Sequence, residues 1–139
     1  MMKNYILINT IEEQEEEESE IIFDDVKQIL KNNDKSDKYI LFANCGRWNG
    51  TYKAVKMIDK LQDIFKVCGC YNDIKLYFEN NTLKLDGMHH DATDYITIKA
   101  LNKNISDRMY EQIENEIYLT DRQYKTLEKR YTKNIKISI

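Results

Sequence analysis

Two short polar motifs group side chains that could do chemistry within a few residues of one another. The first spans residues 46–50 and reads Gly-Arg-Trp-Asn-Gly, and the second spans residues 89–94 and reads His-His-Asp-Ala-Thr-Asp. Each motif follows an apolar segment and crowds hydrogen-bonding groups into a predicted loop, where binding residues concentrate. We therefore expect the two motifs to form one functional site.

The first motif has the chemistry of a nucleotide-binding loop. Arg47 offers a planar fork of donors that suits carboxylate or phosphate, and Trp48 offers a flat face for a base or a guanidinium. The glycines on either side allow backbone N–H groups to approach a ligand. The chain contains neither a P-loop nor a dinucleotide fingerprint. The structural alternative places Trp48 in the core and pairs Arg47 with a nearby acid.

The second motif could bind a ligand, hold a metal or transfer protons. Two adjacent histidines on an extended backbone point to opposite faces, so only one of His89 and His90 readily serves a given site. The chain offers no evident nucleophile and no Glu-x-x-His pattern, so we predict a binding role without catalysis, metal or cofactor. Two alternatives stay open: a metal-dependent hydrolase or nuclease using His89, His90 and Asp91, and a structural turn stabilised by Asp91 and Thr93.

The cysteines indicate reduced thiols. Cys68 and Cys70 lack the two-residue spacer of zinc and redox pairs, so a zinc site completed by His89 and His90 is a weak alternative. The N-terminus lacks the pattern of a secretory signal, and no apolar run reaches the roughly 18 residues of a membrane-spanning helix. We expect a cytoplasmic protein with no membrane partner.

Charge is distributed unevenly along the 139 residues, although the net charge is only -3. Residues 12–20 contain seven glutamates, whereas the segment from Lys99 onward is rich in lysine and arginine. If the basic residues gather on one face, an anionic ligand can bind there despite the net charge. The acidic run is expected to be an exposed loop, and the alternative is that it imitates nucleic-acid phosphates toward a DNA-binding enzyme.

The apolar pattern predicts a single α+β domain over residues 1–139. The element order is β-α-β-β-α-β-β-β-α-α, with a mainly antiparallel sheet covered by helices and two helices at the C-terminus. The predicted strands are 5–8, 39–43, 52–57, 73–78, 82–86 and 95–99, and the predicted helices are 21–31, a segment with a buried stripe over 61–68, 107–117 and a segment after Thr120.

Several local signals fix the predicted boundaries. Asn80-Asn81 tolerates the positive φ of a tight hairpin turn. Capping boxes are expected at Asp59 with Gln62 and at Thr120 with Gln123, an N-cap is expected at Ser106, and Gly69 should stop the second helix. The tail alternates through Ile135, Ile137 and Ile139, which predicts an edge strand or a strand swapped onto a neighbour. We therefore expect a homo-oligomer.

Residues 39–101 resemble a group of small proteins carried by phages and mobile elements of Firmicutes. The resemblance lies in both motifs, in the Cys-Gly-Cys after the second helix and in the strand Asn-Asp-Ile-Lys-Leu-Tyr-Phe. In that group the second motif usually reads His-His-Asp-Gly-Thr-Asn, so Ala92 and Asp94 depart from it. The layout is also similar to the Thoeris anti-defence sponges, which sequester cyclic ADP-ribose signals without cleaving them.

The resemblance implies a counter-defence protein that sequesters a small nucleotide immune signal. Residue chemistry and motif position then select the candidate ligand contacts. These are Arg47, Lys53, Arg108 and Arg122 for phosphate, Trp48, Phe78, Asp91 and Asp94 for base or ribose, and Asn49 and His90 as further polar groups. The alternative partner is a host defence protein, bound directly by an anti-CRISPR or anti-restriction inhibitor.

Overall fold

A computed structural model describes residues 5–9, 25–36, 38–47, 50–90, 92–101, 106–114 and 119–138. The strands are β1 (Tyr5–Asn9), β2 (Tyr39–Arg47), β3 (Gly50–Ile58), β4 (Asp73–Glu79), β5 (Thr82–Met88), β6 (Thr93–Leu101) and β7 (Thr132–Asn134). The helices are α1 (residues 25–32), α2 (Ile64–Val67, preceded by the 3-10 turn Leu61–Asp63), α3 (Asp107–Glu114) and α4 (Asp121–Tyr131). No helix in these ranges is long and apolar enough to cross a membrane.

The strands form one antiparallel sheet in the order β1-β4-β5-β6-β2-β3. β7 pairs with the last three residues of β6, which follow the residues that pair with β5. The predicted α+β class, the antiparallel sheet and the order of the elements are confirmed.

Helices cover the two faces of the sheet and bury separate apolar clusters. On one face, called here the α2 face, Leu30 of α1 and Ile64 of α2 pack in the same cluster as Leu41. On the other, called here the α4 face, Phe42 packs with Ile113 of α3 and Leu127 of α4. Because both faces are covered, β2 reads as a continuous apolar run rather than an alternating one.

The β4–β5 hairpin forms as its sequence predicts. Asn80 and Asn81 adopt φ of 53° and 61°, the left-handed conformation that a two-residue hairpin turn requires. Their short polar side chains tolerate this conformation better than other non-glycine residues do. The turn pairs Glu79 with Thr82 and so fixes which side chains face the core.

Helix caps follow the predictions at the C-terminal helices and differ at α2. Thr120 and Gln123 form the expected reciprocal box, and Ser106 accepts from the N–H of Met109 at 3.2 Å. The box predicted at Asp59 is wrong: Asp59 pairs with Lys38 at 2.6 Å, and the 3-10 turn begins one residue later. Gly69 lies in the turn after α2 without a positive φ, so it does not form the left-handed glycine cap on which the prediction depended.

The C-terminal tail is anchored to its own chain. β7 occupies Thr132–Asn134 rather than the predicted alternating stretch, and Ile135 beyond it is buried. The buried amide of Asn33 donates to the carbonyl of Ser138 at 2.9 Å and accepts from its N–H at 2.8 Å. These two hydrogen bonds hold the end of the chain against the C-terminus of α1.

Candidate functional site

The two polar motifs meet at one end of the sheet. Cys45 at the end of β2 lies opposite Asp94 at the start of β6, and the N–H of Gly46 donates to Asp94 Oδ1 at 3.1 Å. A Cβ atom at Gly46 would lie 2.9 Å from the carbonyl oxygen of Thr93, so only glycine allows this close approach. The two motifs thus meet through Gly46, Thr93 and Asp94, and their forming one functional site stays a prediction.

Asp94 links the surrounding elements. Its side chain is buried, with 3% of its surface exposed, and Oδ2 accepts from the Tyr71 hydroxyl at 3.0 Å and lies 2.9 Å from His89 Nε2. A buried carboxylate is costly unless donors surround it, and these groups surround it here. Burial and the hydrogen bond to Asp94 raise the pKa of Tyr71, which keeps its hydroxyl protonated as a donor.

Tyr71 owes its position to a glycine in the neighbouring strand. A Cβ atom at Gly87 would lie within 2.6 Å of three carbons of the Tyr71 ring, so the ring packs directly on the Gly87 backbone. His89 meets the same ring edge-on, with centroids 4.8 Å apart and planes at 61°. The N–H of Asn72 donates to the carbonyl of Met88 at 2.8 Å and holds the segment against β5.

A cavity of about 310 Å³ opens on the α2 face beside Tyr71 and Asp94. Its floor is the sheet, with small or apolar side chains at Leu41, Ala43, Ala54 and Ile96. Its polar lining consists of Cys45, Tyr52, Lys56, Tyr71 and Asp94. Ligand pockets combine such an apolar floor with a few placed polar groups, so this hollow, the Asp94 cavity, is the candidate site.

The structure brings several predicted residues to this end of the sheet. His89 is half-buried and faces Asp94, whereas His90 is exposed, which confirms that the adjacent imidazoles do not share one environment. The N–H of His89 donates to the carbonyl of Ala92 at 2.8 Å and closes the turn of the second motif. The backbone of Arg47 pairs with Gly50. Trp48, Asn49, Asp91 and the acidic run over 12–20 lie outside the described residues.

Four predicted ligand contacts lie elsewhere. Phe78 is 7% exposed and belongs to the core cluster, so it packs rather than faces a ligand. Lys53 lies on the α4 face, where it pairs with Asp121 at 3.3 Å and stands 5.0 Å from the Tyr124 ring centroid. Arg108 and Arg122 are exposed on α3 and α4, on the side of the sheet opposite the cavity.

Sequence reasoning missed most of the cavity lining. Tyr52 and Tyr71 lie outside both motifs, and neither has a local signal of a binding role. Gly87 could have indicated the site, since an isolated glycine inside an alternating strand often marks a place where another group packs closely against the backbone. Asp94, a predicted ligand contact, lines the cavity, and its carboxylate also contacts Gly46, Tyr71 and His89.

Cys68 and Cys70 were the cysteines considered for a zinc site. Cys68 donates through Sγ to the carbonyl of Ile64 at 3.0 Å, and burial raises the pKa of its thiol to about 12. Cys70 is exposed in the turn after α2. Within the described ranges, no group of three or more His, Cys, Asp or Glu side chains is placed to hold a metal ion.

Comparison with known proteins leaves the family of this chain open. No protein-family model, no curated protein and no solved structure matches it.

Proposed function

We propose that this protein binds a small nucleotide-type ligand in the Asp94 cavity and holds it without cleaving it. The observation that carries the proposal is the meeting of the two polar motifs beside a cavity of about 310 Å³. Pockets for small molecules begin at roughly this volume, near 300 Å³. A ligand the size of a mononucleotide or of one half of a dinucleotide suits such a space.

The lining supports a planar ring with an anionic substituent. Tyr52 and Tyr71 give aromatic surface to the cavity, and the apolar floor would cover the ring of a base. Lys56 is exposed and lines both this cavity and a neighbouring hollow of about 320 Å³ that also contains Lys38 and Lys66. Lys38 and Lys66 are paired there with Asp59 and Asp63, so a phosphate placed at that rim would meet Lys56 while the base lies inside.

Asp94 serves this proposal as a positioning residue. Its contacts with Gly46, Tyr71 and His89 tie the hairpin of the first motif to the turn of the second. The wall of the cavity is therefore fixed before a ligand arrives, and a preformed wall lowers the entropic cost of binding. The resemblance to phage anti-defence sponges makes cyclic ADP-ribose isomers the first ligands to test.

The test is retention and recovery of the ligand. Purified protein is mixed with cyclic ADP-ribose isomers and a panel of mononucleotides, separated from unbound ligand and heated, and the released molecules are weighed by mass spectrometry. The proposal predicts near-stoichiometric recovery of an unchanged nucleotide. Recovery of cleaved products would support the hydrolase alternative, and no retention of any of these nucleotides would contradict the proposal.

A matched pair of variants locates the site. Ala54→Trp fills the floor of the cavity and should abolish retention, whereas Thr97→Trp places the same ring on the opposite face of the sheet and should not. Equal retention by both folded variants would show that the ligand binds elsewhere. Deletion of residues 12–20 should leave retention unchanged, since the acidic run is the feature on which the inhibitor alternative depends.

A further inference from the structure

A second surface of this protein carries concentrated positive charge. Arg122, Lys125, Lys129 and Arg130 are exposed on the outer side of α4 and are called here the α4 cationic face. They line a shallow depression of about 530 Å³ together with Asp121 and Thr126. Positions 122, 125 and 129 repeat at helical spacing, so their side chains form one row.

Among the described residues, the positive charge of this face is not balanced by a nearby carboxylate, whereas that of four lysines elsewhere is. Lys38, Lys53, Lys66 and Lys84 each lie within 3.6 Å of a carboxylate oxygen. In the described part of the chain, the four cations of the α4 face have no such ion pair. Asp121 borders the depression, but its carboxylate is directed to Lys53 at 3.3 Å.

We infer that the α4 cationic face is a docking surface for the phosphate backbone of a nucleic acid. The row from Arg122 to Lys129 extends about 10 Å along the helix, at roughly 1.5 Å per residue. A duplex presents one phosphate of each strand about every 3.4 Å along its axis, so a length of about 10 Å corresponds to about three phosphates of each strand. The arginine forks match phosphate geometry.

The surroundings of the face favour a nucleic acid over other anionic partners. Protein interfaces contain an apolar or aromatic core, and the exposed large apolar side chain among the described residues is Tyr95, on β6 rather than on α4. Membrane-surface helices insert an apolar face into lipid, but the apolar face of α4 is occupied: Leu127 is fully buried, and Tyr124 meets the ring of Phe42 at 4.9 Å. Phosphate recognition needs neither feature.

The test measures binding of fluorescein-labelled oligonucleotides of about 20 nucleotides by anisotropy, first at about 50 mM salt and then at rising salt. We expect micromolar affinity that weakens with salt, with a log–log slope between about -2 and -4, as three or four phosphate contacts would give. Absence of binding by the wild-type protein at low salt would overturn the inference. Tighter binding to a poly-glutamate chain of similar charge would also overturn it, because the face would then suit an acidic protein.

Two triple variants with the same change in net charge separate this face from general electrostatics. Arg122→Gln, Lys125→Gln and Lys129→Gln remove the row, and glutamine keeps the helix propensity of these positions. The control neutralises three exposed lysines elsewhere, by Lys31→Gln, Lys35→Gln and Lys60→Gln. The α4 variant should bind about tenfold more weakly and the control less than about twofold more weakly. Equal weakening would overturn the inference, and circular dichroism confirms that both variants fold.

Discussion

The contact between Gly87 and Tyr71 gives a prediction whose sign is set by the structure. Glycine in a strand is ordinarily less stable than alanine by roughly 0.5–1 kcal/mol, so Gly87→Ala would stabilise a strand with room for a methyl group. Here the new Cβ would lie within 2.6 Å of the Tyr71 ring. Tyr71 must then move, and overpacking of this kind typically costs about 1–3 kcal/mol.

Displacement of the ring adds a second loss. Tyr71 donates to the buried carboxylate of Asp94 at 3.0 Å, and a hydrogen bond to a charged group contributes about 1.5–3 kcal/mol. Because the ring can relax partly and keep some of that bond, we expect Gly87→Ala to lower the free energy of unfolding by about 2 kcal/mol. For a chain of this length that is a fall in Tm of about 6–10 °C.

Denaturant unfolding of four proteins checks the reasoning: wild type, Gly87→Ala, Tyr71→Ala and the double variant. If the clash with the ring is the cause, the alanine at position 87 should cost little once the ring is gone, giving a coupling energy of about 1–3 kcal/mol. A Gly87→Ala protein as stable as wild type would refute the clash. An equal cost in both backgrounds would show that the destabilisation has another source.

Three further predictions concern single positions. Asp94→Ala leaves buried donors without their acceptor and should lower the free energy of unfolding by about 3 kcal/mol. Asp94→Asn keeps one acceptor oxygen, so its loss should be smaller than that of the alanine variant by about 1 kcal/mol, and denaturant midpoints separate the two. Asn81→Ala removes the short polar side chain that helps residue 81 adopt its φ of 61° and should lower stability by about 1 kcal/mol. Asn81→Gly should not lower it. Burial raises the pKa of Tyr124 to about 12 from 10.0, so the unfolded chain ionises first and stability should fall as pH rises above 10; Tyr124→Phe should reduce that fall, and equal loss in both proteins would contradict the assignment.

The predictable part of this fold was the part in which local and tertiary preferences agree. The β4–β5 hairpin follows from alternating apolar residues and two asparagines that accept positive φ, and the box at Thr120 follows from two side chains three residues apart. The box predicted at Asp59 failed because a tertiary partner, Lys38, takes that carboxylate and lowers its pKa. A pattern of spacing contains no information about a partner that is twenty-one positions away.

The candidate site was predictable at the level of its location but not of its lining. Both motifs follow predicted strands and were expected to share one site, whereas the antiparallel pairing of β2 with β6, which brings Gly46 to Asp94, was not part of the prediction. The sequence did not identify the tyrosines that line the cavity. The Tyr71 ring packs there only because Gly87 of β5 has no side chain, which is a tertiary contact. Phe78 was misassigned although the alternation of β4, which the sequence shows, places it on the buried face with Ile74 and Leu76.

The contacts of Asp94 explain why the two motifs act as one unit rather than as two independent loops. Gly46 contributes a backbone donor from the first motif, His89 contributes a ring nitrogen from the second, and Tyr71 brings the wall of the cavity to the same carboxylate. Since Gly46 also lies against the backbone of Thr93, neither motif can shift without moving the other. A change in either motif is therefore transmitted to Tyr71 and to the shape of the cavity that Tyr71 lines.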